Sequence, residues 1–211
     1  MNCAGRPNPG RPAFIQMKTA SIAVASLLGL MLPAGAEWII TPAPDGMSIA
    51  FTLVVPELRF DATAEGLVPR VSGQAAPLRP GAPDVPVLAQ AVPCAGRGTP
   101  SVRILETSPE DVTNTVVAPA PRWVADAESR TPMPVPVRVR EEAVYSANAF
   151  WPAELADVQV GFMATQALAR IECRPVQYNP VTGTVRVHRR IRGVVEFLEA
   201  GSTEKADGQV P

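Results

Sequence analysis

The chain has 211 residues, with 19 Lys plus Arg against 20 Asp plus Glu and one histidine, a formal net charge of −1. That balance excludes the electrostatic footprint of a nucleic-acid binder or of a protein held on an anionic membrane surface. Twenty-four prolines spread along the chain exclude long helices, because each interior proline costs a helix about 3 kcal/mol.

The first 36 residues read as an extension and a secretory leader. Met17-Lys18 is a short basic start, Ala20 to Leu32 is apolar, and Ala34-Gly35-Ala36 is a small-x-small cleavage site before Glu37. Thirteen apolar residues fall short of the ~20 a membrane helix needs. Met1 to Gln16 holds three prolines, so Met17 is the better initiator. No cysteine stands at the cleavage point, which argues against a lipoprotein. Cleavage leaves 175 residues (211 − 36), enough for one domain with a core. They carry 16 basic residues (19 less Arg6, Arg11 and Lys18) against 20 acidic ones, net about −4.

Beyond Glu37, short apolar runs bounded by Pro, Gly and Asp predict strands. In chain order these are Met47 to Val55, Val85 to Val92, Ser101 to Glu106, Thr113 to Ala118, Val135 to Arg140, Val158 to Met163 and Ala167 to Arg174. Pro136 confines the run at Val135 to a sheet edge. Two stretches read as loops, Glu65 to Pro86 and the proline-rich Ala118 to Pro136. One helical turn is expected near Ala153 to Asp157. The tail from Ala200 to Pro211 is small, polar and charged, the composition of a flexible linker. The pattern predicts an all-β fold: an antiparallel β-sandwich, jelly-roll-like, with long Pro/Gly-rich loops, over residues 37–199.

The most specific wording lies at Arg170 to Phe197. Ile171 and Cys173 alternate with charged residues, and Asn179-Pro180-Val181-Thr182-Gly183 makes a turn. Val185 and Val187 then alternate with Arg186 and His188, and a further strand runs from Ile191 to Phe197. The segment therefore reads as two strands joined by a tight turn. Pro175-Val176-Gln177-Tyr178-Asn179-Pro180, Thr182-Gly183, Val185-Arg186-Val187 and Val194-Val195-Glu196-Phe197 resemble the closing segment of the N-terminal propeptide of gingipain-type cysteine peptidases. Gly81-x-Pro83-x-Val85-Pro86, Tyr145, Trp151-Pro152 and Gly161 are similar to the family's pattern as well. Val85 stands where the family has Leu. Gly193 stands where it tends to Val, which predicts a bulge.

The resemblance implies a bacterial, secreted or periplasmic/cell-surface pro-domain. It would act as intramolecular chaperone and inhibitor of a caspase-like cysteine peptidase domain following it, in cis or in trans. It implies no cofactor, no metal, no nucleic-acid partner and no membrane contact in the mature form. The chain itself offers little chemistry. Cys173 shares a strand face with Ile171, whereas His188 shares one with Arg186, taken here as the solvent side, so a Cys/His dyad is not expected. One histidine and two separated mature cysteines match no zinc spacing, and no serine elbow or phosphate loop is present. Cys94 and Cys173 are a disulfide pair, or Cys173 is a buried small hydrophobe; both readings stay open.

A pro-domain of this kind blocks a protease by placing one extended loop in its cleft. For an Arg-specific partner, Arg122 or Arg130 at the tip of the Ala118 to Pro136 loop is the candidate inserted residue, because a guanidinium pairs bidentately with a carboxylate. Arg186, Arg189, Arg190 and Arg192 read as a solvated hairpin edge or as a docking edge for the peptidase. The competing functions are a stand-alone exported β-sandwich adhesion or binding module without a protease, and a secreted inhibitor acting only in trans.

Overall fold

The computed structural model describes residues 36–75, 79–95, 98–125 and 134–198. Twelve strands and one helical turn occupy them: β1 Glu37–Pro42, β2 Ser48–Val54, β3 Arg59–Thr63, β4 Gly66–Arg70, β5 Leu88–Pro93, β6 Thr99–Val112, β7 Arg122–Ala125, β8 Pro134–Val137, α1 Glu142–Tyr145, β9 Ala156–Met163, β10 Gln166–Cys173, β11 Val176–Asn179 and β12 Thr184–Leu198.

The strands form two antiparallel sheets and two ribbons. β12 is the spine of the larger sheet. β6 runs along one side of it from Val185 to Leu198, while β11 and then β2 share the other side, with β1 outside β2. The smaller sheet is β5-β10-β9. Period-two alternation turns Ile49, Phe51 and Leu53 of β2 and Ile191, Val195 and Phe197 of β12 inward, against Leu88, Val158, Ala169 and Ile171 of the smaller sheet. Each large side chain fully buried there contributes about 1.5–3 kcal/mol. The result is the expected all-β sandwich.

A second apolar cluster lies under the first half of β12, where Val185 and Val187 meet Val85, Val117, Val176 and Tyr178. It exists because the chain crosses between sheets. β10 ends at Cys173, in the smaller sheet, and β11 begins at Val176 in the larger one. Arg170 to Cys173 therefore does not form the first arm of the hairpin, as the sequence had suggested; that arm is β11. The turn itself is as expected. Gly183 sits at φ +60°, and Asn179 Oδ1 accepts hydrogen bonds from the amides of Val181 and Thr182 at 3.1 and 3.3 Å.

Other expectations needed correction. Gly66 to Arg70, read as loop, is a strand because Arg59 to Thr63 supplies a partner. Arg122 to Ala125, also read as loop, pairs with β8, where Trp123 faces Pro136. Thr113 to Ala118 forms no ladder, only a bridge at Val117 to Leu67. The helical turn lies at Glu142–Tyr145 instead of Ala153 to Asp157.

Candidate functional site

The β7–β8 ribbon is held to the body by the Gly-x-Pro-x-Val-Pro segment. Gly81 N donates to Ala120 O, Asp84 N to Ala118 O, and Ala120 N to Ala82 O, all at 2.7–2.9 Å. The same Gly81 offers its carbonyl to Glu141 N at 2.9 Å. Gly81 adopts φ +87°, and a Cβ there would come within 3.1 Å of Val139 O, so glycine alone fits without strain. Three residues on, Asp84 is 2% exposed and accepts from Arg138 Nη1 at 2.9 Å. Arg70 Nη2 lies 3.7 Å from the same carboxylate, and Arg138 also donates to Pro119 O. A buried carboxylate thus clamps the end of the ribbon to β4 and to the proline-rich strap before β7.

The ribbon presents two unlike faces. On one, Arg122 shares a shallow depression with Arg79, Gly81, Val139, Arg140 and Glu141; three guanidinium groups there meet one carboxylate. Arg79 pairs with Glu141, and Arg140 stacks on the Tyr145 ring at 5.1 Å. On the other face, Trp123 stands 64% exposed. Arg122 is exposed, but it opens β7 opposite Val137; it lies at the foot of the ribbon and not at a loop tip. Arg130 falls outside the described residues.

The four arginines of β12 do not form an edge, because β12 is an interior strand flanked by β6 and by β11 and β2. Two are already engaged across the ladder. Arg186 donates from Nε and Nη2 to Asp111, both at 2.8 Å, and lies 4.2 Å from the Phe150 ring centroid. Arg189 donates to Glu110 at 2.9 Å. Arg190 and Arg192 are exposed and have no ion-pair partner among the described residues. They, with Arg103 bound to Glu196 at 3.1 Å, lie on the outer face of the larger sheet.

Cys94 and Cys173 are free thiols. The register explains this: Cys173 pairs with Leu88 at one end of the β5–β10 ladder, while Cys94 bonds to Ala167 beyond the other. Six residues of strand separate the ends, roughly 20 Å, far outside disulfide reach. Of the two readings, the buried hydrophobe is the one the fold adopts. Burial pushes the Cys173 thiol pKa up to about 12, against a smaller downward pull from Arg174.

His188 overturns one expectation in part. It shares the Arg186 face as strand alternation requires, yet it is 4% exposed. The segment around Asn148 to Ala153 covers that face. Trp151 bridges Tyr178 at the free side of β11, Gln177 Nε2 donates to Pro152 O at 2.7 Å, and Phe150 lies over Arg186. Gln177 Oε1 is then 3.0 Å from His188 Nε2. Burial first, and Arg186 second, hold the imidazole pKa below its ordinary 6.5, with Asp111 opposing.

The Asp84 clamp was missed at the sequence level. Its signal was Asp84 lying inside the Gly81-to-Pro86 motif, where a carboxylate has no local reason to be. The structure also brings the scattered motif residues together: Tyr145 packs edge-on to Tyr178, and its hydroxyl donates to Val117 O at 2.9 Å.

The family model Propeptide_C25 matches residues 41–210. Among solved structures, the chain is similar to the complex of Porphyromonas gingivalis RgpB pro- and mature domains. The TM-score is 0.66 at 19% identity, over 76% of this chain and 84% of that one. It is also similar to a structure addressing the zymogenic latency of gingipain K from Porphyromonas gingivalis. There the TM-score is 0.59 at 21% identity, over 79% of this chain and 95% of that one. No curated protein matches the chain.

Proposed function

Because the chain belongs to the C25 propeptide family, matched over residues 41–210, we propose that this zymogen pro-domain folds ahead of a cysteine peptidase domain and holds it latent. The observation that carries the reading is the span of the family match. It covers the sandwich, the Asp84 clamp and the β11–β12 hairpin together. The β-fold likeness to pro-domains whose structures concern a bound mature domain and zymogenic latency supports it.

In this reading the leader that ends at Ala36 exports the proprotein, and the peptidase follows in the same polypeptide. The β7–β8 ribbon meets the catalytic domain over an interface of about 800 Å² per partner. Its base is fixed by Asp84 and Arg138, so β7 and β8 themselves have little conformational entropy to lose on docking. Trp123 supplies an exposed aromatic anchor beside it. Arg122 and Arg130 remain the candidates for the specificity pocket, and Arg190 and Arg192 for a secondary electrostatic contact.

The test is a titration of residues 37–211 against the peptidase domain encoded with them. Stoichiometric loss of hydrolysis supports the reading. Full activity under a large excess of the domain refutes it. Alanine at both Arg122 and Arg130 should weaken inhibition by at least tenfold, and unchanged inhibition removes both from the cleft.

A further inference from the structure

We infer that His188 is an acid-sensitive latch: a second proton on its ring, at Nδ1, sets an unaccepted N–H and a charge under the Pro152 segment and loosens the hairpin end of the domain. The inference rests on the pro-domain reading only for its consequence, which is relief of latency in mild acid. The latch itself follows from atoms. Gln177 Nε2 donates to Pro152 O at 2.7 Å, so its Oε1 is the atom turned toward His188 Nε2, 3.0 Å away. Oε1 can only accept. The neutral ring therefore carries its proton on Nε2, and Nδ1 is left as a bare acceptor. Nδ1 is buried and has no hydrogen-bond partner among the described residues.

That arrangement suits neutral imidazole and no other form. A proton added at Nδ1 creates a buried N–H with no protein acceptor and places a charge in a site 4% exposed. No carboxylate stands ready to absorb it. On β12 the nearby charge is Arg186, which repels a second cation. The facing group on β6 is Asp111, and both its oxygens are already taken by Arg186 at 2.8 Å. Glu110, its neighbour on β6, is held by Arg189. Pro109 lies opposite His188, β11 contributes the neutral Gln177, and the stretch before β11 contributes Pro175 O, which accepts from the His188 amide. The charged ring is satisfied only by reaching water, and that requires the Asn148 to Ala153 cover to lift.

What the cover holds is the link from α1 to the hairpin. Trp151 and Tyr178 exchange two backbone hydrogen bonds of 2.8 Å, and Tyr178 and Tyr145 belong to the second apolar cluster. Loosening there loosens the strap at Val117, to which the Tyr145 hydroxyl donates, and with it the base of the β7–β8 ribbon. The sign is definite. A ring kept neutral when folded binds fewer protons than the unfolded chain, so its stabilisation is whole above the ordinary imidazole value and falls away as pH drops below it.

His188 is the chain's only histidine, so its imidazole resonances need no mutant for assignment. Residues 37–211 are followed by NMR from pH 8 to 5, and urea unfolding is measured at pH 7.5 and 5.0 for the wild type and His188→Gln. We expect the folded ring to stay in the Nε2–H tautomer below pH 6.5. The wild-type folding constant should fall by up to about 30-fold between the two pH values, and that of His188→Gln by far less. An imidazole that titrates at its ordinary value, or equal pH dependence in both proteins, overturns the latch. If His188→Gln does not fold, the wild-type titration decides alone. Affinity for the peptidase domain, measured at both pH values, should drop at pH 5.0 in step with stability; an affinity unchanged by pH overturns the consequence. Absence of binding at pH 7.5 refutes the pro-domain reading while leaving the titration to decide the latch.

Discussion

Gly193 leaves the space that the Phe51 ring fills. A Cβ on Gly193 would lie 2.5 Å from Phe51 Cζ and 3.0 Å from Arg103 O. The ladder with β6 slips at this point, between Arg192 and Gly193, and the unpaired residue is Leu105 of β6; the bulge expected at Gly193 thus forms in the strand facing it. Phe51 is 1% exposed and cannot retreat. Gly193→Ala should therefore destabilise the domain by about 1–3 kcal/mol, and Gly193→Val by more. Urea unfolding measures it, and a change below about 0.5 kcal/mol would show that the ring moves freely.

Removing one partner of the ribbon clamp should be costly. Asp84→Ala leaves the Arg138 guanidinium largely enclosed, with Pro119 O as its hydrogen-bond partner, and is expected to cost about 3–5 kcal/mol. Replacing both partners, as in Asp84→Leu with Arg138→Met, should restore much of that loss because no charge is left stranded. Were the double variant as unstable as the single one, the clamp would matter through shape and not through charge.

The two thiols of residues 37–211 should differ sharply in reactivity. With its pKa pushed to about 12 by burial, Cys173 stays protonated and enclosed at pH 8, while the partly exposed Cys94 labels. Native alkylation followed by mass spectrometry should show one adduct, and unfolding in urea should reveal the second. A disulfide-linked species after mild oxidation of the folded monomer would contradict the β5–β10 register.

A separate acid transition belongs to the outer ladder. The Arg186 hydrogen bond holds the Asp111 carboxyl pKa below its ordinary 3.8. Asp111 therefore contributes stability above that value, and the contribution is lost as pH falls through the lower folded value. The pair is substantially exposed, so its worth is a few tenths of a kcal/mol up to ~1. Asp111→Asn should flatten the stability profile below about pH 4. Because it also removes the carboxylate that opposes the lowering of the His188 pKa, the loss of stability between pH 7.5 and 5 should be no smaller than in the wild type, and a smaller loss would show that Asp111 does not act on His188.

Local patterning made the strands of the sandwich legible. Ile49, Phe51 and Leu53, or Val185 and Val187, announce their buried face by period two, and Asn179 to Gly183 announces its turn by residue chemistry. Strands with weak patterns escaped notice. β4 contains Pro69, and β7 is the four residues Arg-Trp-Val-Ala; each is a strand because a partner lies beside it. Burial of polar groups was equally illegible. The Asp84 clamp joins residues 14 and 54 positions apart, and no local rule connects them.

The sequence by itself determined the all-β class, the wording of the hairpin and the family to which that wording is similar. These depend on residue order over a few positions, where alternation, proline and glycine act directly on the backbone. Tertiary structure alone decided which sheet each strand joined, that β12 is an interior strand and not an edge, and that Cys94 and Cys173 lie at opposite ends of one ladder. It also decided that the Asn148 to Ala153 segment buries His188. Alternation assigns a side chain to a face; whether that face meets water depends on what the rest of the chain lays over it.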